Sequence, residues 1–215
     1  MTTIYNFPFN TCEKVRSPIA QPYSAFINLI TCLILIYFIV KTKSMYSFAF
    51  LFSFLLFQMM HLVSHCIHIA GNIQQISIHY LAILTNICFY VLYTVSSKRN
   101  SYALTLAFVF INLLDLYMLF ENYPFVYTVF TQLFVFILLL FSFFEILPLA
   151  KQNHIQLLLL SSFSVGVLLI NEKKNGNKLL EWWPDFPFHV FIELVGLVAI
   201  YLIATLFYDI EQPNV

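Results

Sequence analysis

The sequence predicts an all-α fold: a polytopic membrane protein of seven transmembrane helices. Two observations carry this. Of its 215 residues, 61% are hydrophobic and only 9% are charged, whereas a soluble domain carries roughly 25% charged residues. The apolar residues also fall in long runs, near the roughly 20 residues that a helix needs to cross a bilayer, with short polar breaks between them. In lipid every backbone N–H and C=O must be paired within the spanning structure; a barrel would show alternation in place of these runs.

The elements follow in order. Residues 1–24 form a polar, Pro-containing tail. It does not resemble a cleavable signal peptide, whose apolar run starts earlier and ends at a small-residue site. Residues 25–208 form the transmembrane domain, with spans at Ala25–Val40, Met45–Ile69, Ile78–Val95, Tyr102–Phe120, Phe125–Phe144, Ile155–Ile170 and Pro187–Tyr208. The breaks are Lys41 and Lys43, Ala70-Gly71-Asn72, Ser96–Asn100, Glu121–Pro124, Leu147–His154 and Asn171–Asp185. Residues 209–215 are a short C-terminal tail. There is no internal repeat and no soluble domain. The abundant Phe and Tyr read as lipid-facing and packing surface, and Trp182 and Trp183 as an interfacial anchor.

Charge says little about partners or orientation. The formal net charge is zero, which gives no sign of a nucleic acid partner, and no protein partner is inferred. On the N-terminal side stand Lys14, Arg16, Lys173, Lys174 and Lys178; on the other stand Lys41, Lys43, Lys98, Arg99 and Lys151. Equal numbers leave the positive-inside rule undecided, although the second group is concentrated in very short connections, which leans towards a cytoplasmic side. Of the four cysteines, Cys32 and Cys88 lie mid-span as small apolar residues, whereas Cys12 and Cys66 share a side, where a disulfide is open to them.

Span parity gathers the polar residues. With seven spans, Ser64 and His68 late in span two, His79 at the start of span three, Asp115 near the end of span four, and His189 and Glu193 at the start of span seven all reach the N-terminal side. Ionisable side chains in a membrane core are costly, about 2.5–3.5 kcal/mol or more, and mark function by default. His61, Ser64, His65 and His68 recur at three and four residues, so they stripe one helix face. His189 and Glu193 are four apart and also share a face, a spacing at which two ligand side chains converge on one ion. The group reads as a shared metal or polar site. His61 and His65 are expected to support it from behind or to pack the helix. Asp115 is either a supporting carboxylate or a partner for a neighbouring helix, and His154 is an interfacial loop residue.

This pattern resembles the alkaline ceramidases, seven-span proteins related to the progesterone- and adiponectin-type receptors. The family signature is Ser-x3-His late in span two, Asp opening span three and His-x3-His in span seven. Ser64-x3-His68 matches the first part. Asn10-Thr11-Cys12-Glu13 with Gln21-Pro22 resembles the N-terminal Cys-Glu and Glu-Pro elements, and Pro187-Phe188-His189 resembles the start of the last span. There are two departures: His79 stands in the place of the Asp, and Glu193 in that of the second His. The resemblance implies a zinc-dependent intramembrane hydrolase of a lipid amide such as ceramide, drawn from the bilayer, with a lumenal or extracellular N-terminus.

Under that resemblance the metal is expected on His68, His189 and His79, with Glu193 as general base; alternatively His68, His189 and Glu193 bind it and His79 moves the proton. Either set makes a three-ligand catalytic site. Ser64 is expected to donate to the oxyanion. Of the family's calcium-binding residues only Glu13 is matched, since Asn10 and Thr11 stand where acidic and aromatic residues are expected. The partner that the family implies for Cys12 is missing, because residues 171–186 hold no cysteine. A non-catalytic, receptor-like protein that keeps the metal is the alternative expectation.

Overall fold

The computed structural model describes residues 13–67, 72–97, 102–121, 125–144, 149–184 and 186–210. They form the helices α1 (Pro22–Lys41), α2 (Met45–Cys66), α3 (Asn72–Ser97), α4 (Tyr102–Phe120), α5 (Phe125–Phe144), α6 (Leu149–Trp182) and α7 (Val190–Ile210). Six of these, α1 to α4 with α6 and α7, are long and apolar enough to cross a membrane. The described apolar stretch of α5, Phe130–Phe143, is shorter. The chain is therefore a multi-pass membrane protein by helix length and composition.

Helix starts follow local chemistry. Pro22 stands in the first turn of α1, where its missing N–H costs nothing. The Glu13 carboxylate accepts from the Tyr23 N–H (2.8 Å), the Ser24 N–H (3.1 Å) and the Ser24 hydroxyl, so it satisfies donors that the first turn leaves open. Ser44 caps α2 by accepting from the amides of Tyr46 and Ser47.

Several expected boundaries are corrected. Residues 1–24 were expected to be a tail, yet Glu13, Ala20 and Gln21 are buried and the helix already begins at Pro22. The amides of Ala20 and Gln21 donate to the carbonyls of Cys66 and His65, closing the end of α2. Much of Asn171–Asp185, expected as a break, is helix, because α6 runs unbroken for 34 residues. Its last turn, Lys178 to Glu181, carries Lys, Leu and Glu, all good helix formers, and leaving the apolar layer does not end a helix. The break expected at Leu147–His154 is helix from Leu149, so His154, expected in a loop, lies in α6, and its Nε2 bonds the Leu202 carbonyl (2.8 Å) and the Thr205 hydroxyl (3.1 Å) of α7.

α1 packs between α2 and α7, α3 lies against α2 and α5, α6 joins α5 to α7, and α4 covers α5 from outside. The centre is an aromatic stack. Phe89 of α3 lies 4.7 Å from Phe50 of α2 and 5.1 Å from Phe143 of α5, centroid to centroid, and Phe207 of α7 meets all three edge-on. All four are fully buried. Lipid is as apolar as Phe, so close packing holds this centre more than exclusion of water does. Beside it, buried amides tie α3, α4 and α5. The Gln132 amide donates to Asp115 Oδ2 at 2.9 Å, and the Asn86 amide donates to the Gln132 side-chain carbonyl.

Candidate metal centre

The site is built where the end of α2 meets the starts of α1 and α7. His61 and His65 are one helical turn apart on α2, and Glu193 lies one turn into α7, just after His189. The ring nitrogens converge on one carboxylate oxygen: Glu193 Oε1 lies 3.7 Å from His61 Nε2, 3.2 Å from His65 Nε2 and 3.0 Å from His189 Nε2. His61 Nε2 and His65 Nε2 are 3.1 Å apart. An ion about 2.0–2.1 Å from each donor of a tetrahedron sets donor–donor edges of about 3.3–3.4 Å. The observed separations bracket that value. Among the described residues, His61, His65 and Glu193 form the group able to hold a metal ion.

The surroundings aim these donors. His65 Nδ1–H donates to the Gln21 side-chain carbonyl at 2.6 Å, which leaves Nε2 as a lone pair facing the cluster. The Asn28 amide donates to Glu193 Oε2 at 2.8 Å and also to the Ser24 carbonyl, so one carboxylate oxygen is anchored and the other faces the imidazoles. His189 Nδ1 meets both oxygens of Glu172 at 3.0 Å. Its Nε2, though close to Glu193, makes no aligned hydrogen bond and is buried. Imidazoles that bind metals are held in this way, the far ring nitrogen donating to a carboxylate or carbonyl that fixes tautomer and tilt. His65, His189, Glu193 and Glu172 are all buried, while the His61 side chain keeps 29% of its exposure. Buried ionisable groups of this density need an ion or a shared proton between them.

The residues expected from sequence divide. His189 and Glu193 stand at the cluster. His61 and His65, expected as supports, supply two of its facing nitrogens. His68 lies outside the described residues. His79 is buried in α3 and is not part of the His61, His65 and Glu193 group. The Ser64 hydroxyl donates to the His61 carbonyl at 2.5 Å, bracing the turn that carries the two histidines. Asp115 meets Gln132 in the α4–α5 contact. Glu13 caps α1, with both carboxylate oxygens accepting from that helix. Cys66 is a free thiol, as are Cys32 and Cys88, and Cys12 lies outside the described residues.

Three site residues were missed in the sequence: Gln21, Asn28 and Glu172. Gln21-Pro22 stands in the sequence only as part of the N-terminal tail, in its resemblance to a Glu-Pro element, and Glu172 only as part of the break after the sixth span; neither position signals a histidine partner. Asn28 is separated from Glu193 by 165 residues, and nothing local marks it. Removing the Gln21 carbonyl frees the His65 ring to rotate. Gln21→Leu is therefore expected to weaken metal binding about 10–100-fold, the usual effect of losing such a partner, measured by competition with a chromogenic chelator. An unchanged affinity would show that His65 is not held by Gln21.

The chain matches no family model, no curated protein and no solved structure.

Proposed function

We propose that this chain is a metal-dependent membrane hydrolase that cleaves a lipid amide, similar in plan to the alkaline ceramidases. One observation carries the reading: His61, His65 and Glu193 bring two imidazole nitrogens and one carboxylate oxygen to tetrahedral edge distances at the end of a membrane helix. Two histidines and a glutamate are a catalytic zinc donor set, and nitrogen with oxygen ligands suits zinc. Seven crossings, with α5 as the remaining one, put the two termini on opposite sides, and the resemblance puts the N-terminus in the lumen or outside the cell.

In this reading His61, His65 and Glu193 hold zinc, and His189 moves the proton. Bound there, zinc would supply a Lewis acid for the amide carbonyl and lower the pKa of water towards about 7. His189 Nε2 takes the proton of the attacking water and later gives it to the departing amine nitrogen. Glu172 holds the Nδ1–H and stabilises the charge that the ring gains, the role of a carboxylate behind a catalytic histidine. Asn28 keeps Glu193 Oε2 occupied, so that Oε1 serves the site. The substrate enters sideways from the bilayer, past the partly exposed His61.

A second reading has its own support. His189 Nε2 lies 3.0 Å from Glu193 Oε1, nearer than either α2 histidine, although His189 stands outside the His61, His65 and Glu193 group. If His189 also binds the ion, four protein ligands close the site, as in structural zinc centres. The protein would then be a non-catalytic, receptor-like lipid binder. The test is the zinc content of purified protein together with release of fatty acid from a panel of ceramides. Zinc with product supports the hydrolase. Zinc without product from any lipid amide supports the closed site, and no zinc overturns both.

A further inference from the structure

α2 and α7 touch at two depths. His61 and His65 meet Glu193 at the cluster, and deeper in the bundle Phe50 meets Phe207 at 5.1 Å, centroid to centroid. The two helices therefore run in opposite directions, and one turn below the cluster lies three residues before His61 and three after Glu193. Those positions are Gln58 and Gly196. Gly196 falls on the stripe of α7 that carries His189, Glu193, Ile200 and Phe207, all of them buried. A Cβ added there would meet no atom of the described residues within 4 Å outside its own helix, and Gly196 itself is only half-buried. The inward face of α7 is thus open between its two contacts with α2. Gln58 lies on the α2 face that carries His61 and His65, at spacings of three and seven. It is 6% exposed, and its side-chain amide makes no hydrogen bond among the described residues. An amide that both donates and accepts, buried at membrane depth without a partner, is costly to keep unless a ligand pairs with it.

We propose that Gln58 binds a hydroxyl on the acyl chain of the lipid, so that the substrate is an amide of a 2-hydroxy fatty acid. This rests on the hydrolase reading of the cluster. With the scissile carbonyl at the metal, the acyl chain runs on towards the middle of the membrane, past Gly196, where no side chain stands in its way. One helical turn is about 5.4 Å. A hydrogen bond of about 2.9 Å and the two bonds from the carbonyl carbon to a 2-hydroxyl oxygen cover that height. A hydroxyl is donor and acceptor in one group, so it suits the amide in either orientation. An unhydroxylated chain fits the same space but leaves the amide unpaired. Gln58 touches no proposed ligand of the metal, so it sets which lipid is taken and leaves the metal in place.

The test offers full-length protein in phosphatidylcholine nanodiscs equal amounts of 2-hydroxypalmitic and palmitic acid, and measures the acid retained by native mass spectrometry. Wild type is expected to retain the hydroxy acid about ten-fold over palmitic acid, the effect of leaving one buried amide unpaired. Gln58→Leu, of similar size, should remove that preference while zinc content and thermal stability stay as they were. Loss of a merely structural amide would lower stability and leave the preference. Gly196→Leu fills the open space and should reduce retention of both acids; Gly196→Ala is the milder form should Leu impair folding. Equal retention of the two acids by wild type, or a preference that survives Gln58→Leu, would overturn the proposal. The kcat/KM for 2-hydroxypalmitoyl and palmitoyl ceramide separates this from the hydrolase reading. Hydrolysis of both at equal rates sinks the hydroxyl site and keeps the hydrolase. A Gln58-dependent preference in retention with no hydrolysis of either keeps the hydroxyl site and sinks the hydrolase.

Discussion

His65→Ala is expected to strip the metal from the protein and to abolish hydrolysis together. His65 contributes Nε2 at 3.1 Å from His61 and 3.2 Å from Glu193, so it shares an edge with each of the other two donors. A three-ligand centre that loses one ligand retains only two, and its affinity falls far below the level that survives purification. The protein should still fold, because the central aromatic stack of Phe50, Phe89, Phe143 and Phe207 lies deeper and does not involve His65. Zinc measured by elemental analysis should drop from about one per chain to none, with unchanged elution on size exclusion. A variant that keeps full zinc would remove His65 from the centre and with it the proposed ligand set.

The second large effect separates the open site from the closed one. His189→Gln is expected to keep zinc and to slow ceramide hydrolysis about 10²–10⁴-fold, the usual contribution of general acid–base catalysis. Gln fills similar space and retains polarity but cannot shuttle a proton. The residual activity should also lose the pH dependence that a titrating imidazole imposes. If zinc leaves together with activity, His189 is a fourth ligand, the centre is closed, and the receptor-like reading takes its place. Glu193→Gln provides the converse: as a ligand it should release zinc, and a variant that keeps zinc but loses turnover would return Glu193 to the role of base.

Much of the architecture was legible in the residues. Tyr102–Phe120 and Phe125–Phe144 are bounded in the structure as the apolar runs bound them, because in lipid a helix is the only open arrangement that pairs its own backbone. The run ending at Ile170 was a poorer guide to its helix. Hydropathy reports where the apolar layer ends, whereas α6 continues through Glu172 to Trp182. That continuation matters to the site, since it keeps Glu172 on a rigid element beside His189.

The candidate site was legible as a set of residue types at one depth, because spacing by three and four determines which side chains share a helix face. The α2 stripe and the His189–Glu193 pair both follow from that periodicity alone. Which histidines of the stripe meet Glu193 is a different matter. It depends on how far α2 is turned and slid against α1 and α7, and interhelix packing sets both. Here the amides of Ala20 and Gln21 end α2 at His65 and Cys66, and the Gln21 side chain takes His65 with it. So the sequence by itself determined a membrane bundle with imidazoles and carboxylates gathered near one face. Only the tertiary structure decided that His61 and His65 face Glu193, that Asn28 holds its other oxygen, and that Glu172 stands behind His189. Periodicity acts within one helix, whereas these contacts form between helices whose relative rotation no local pattern encodes.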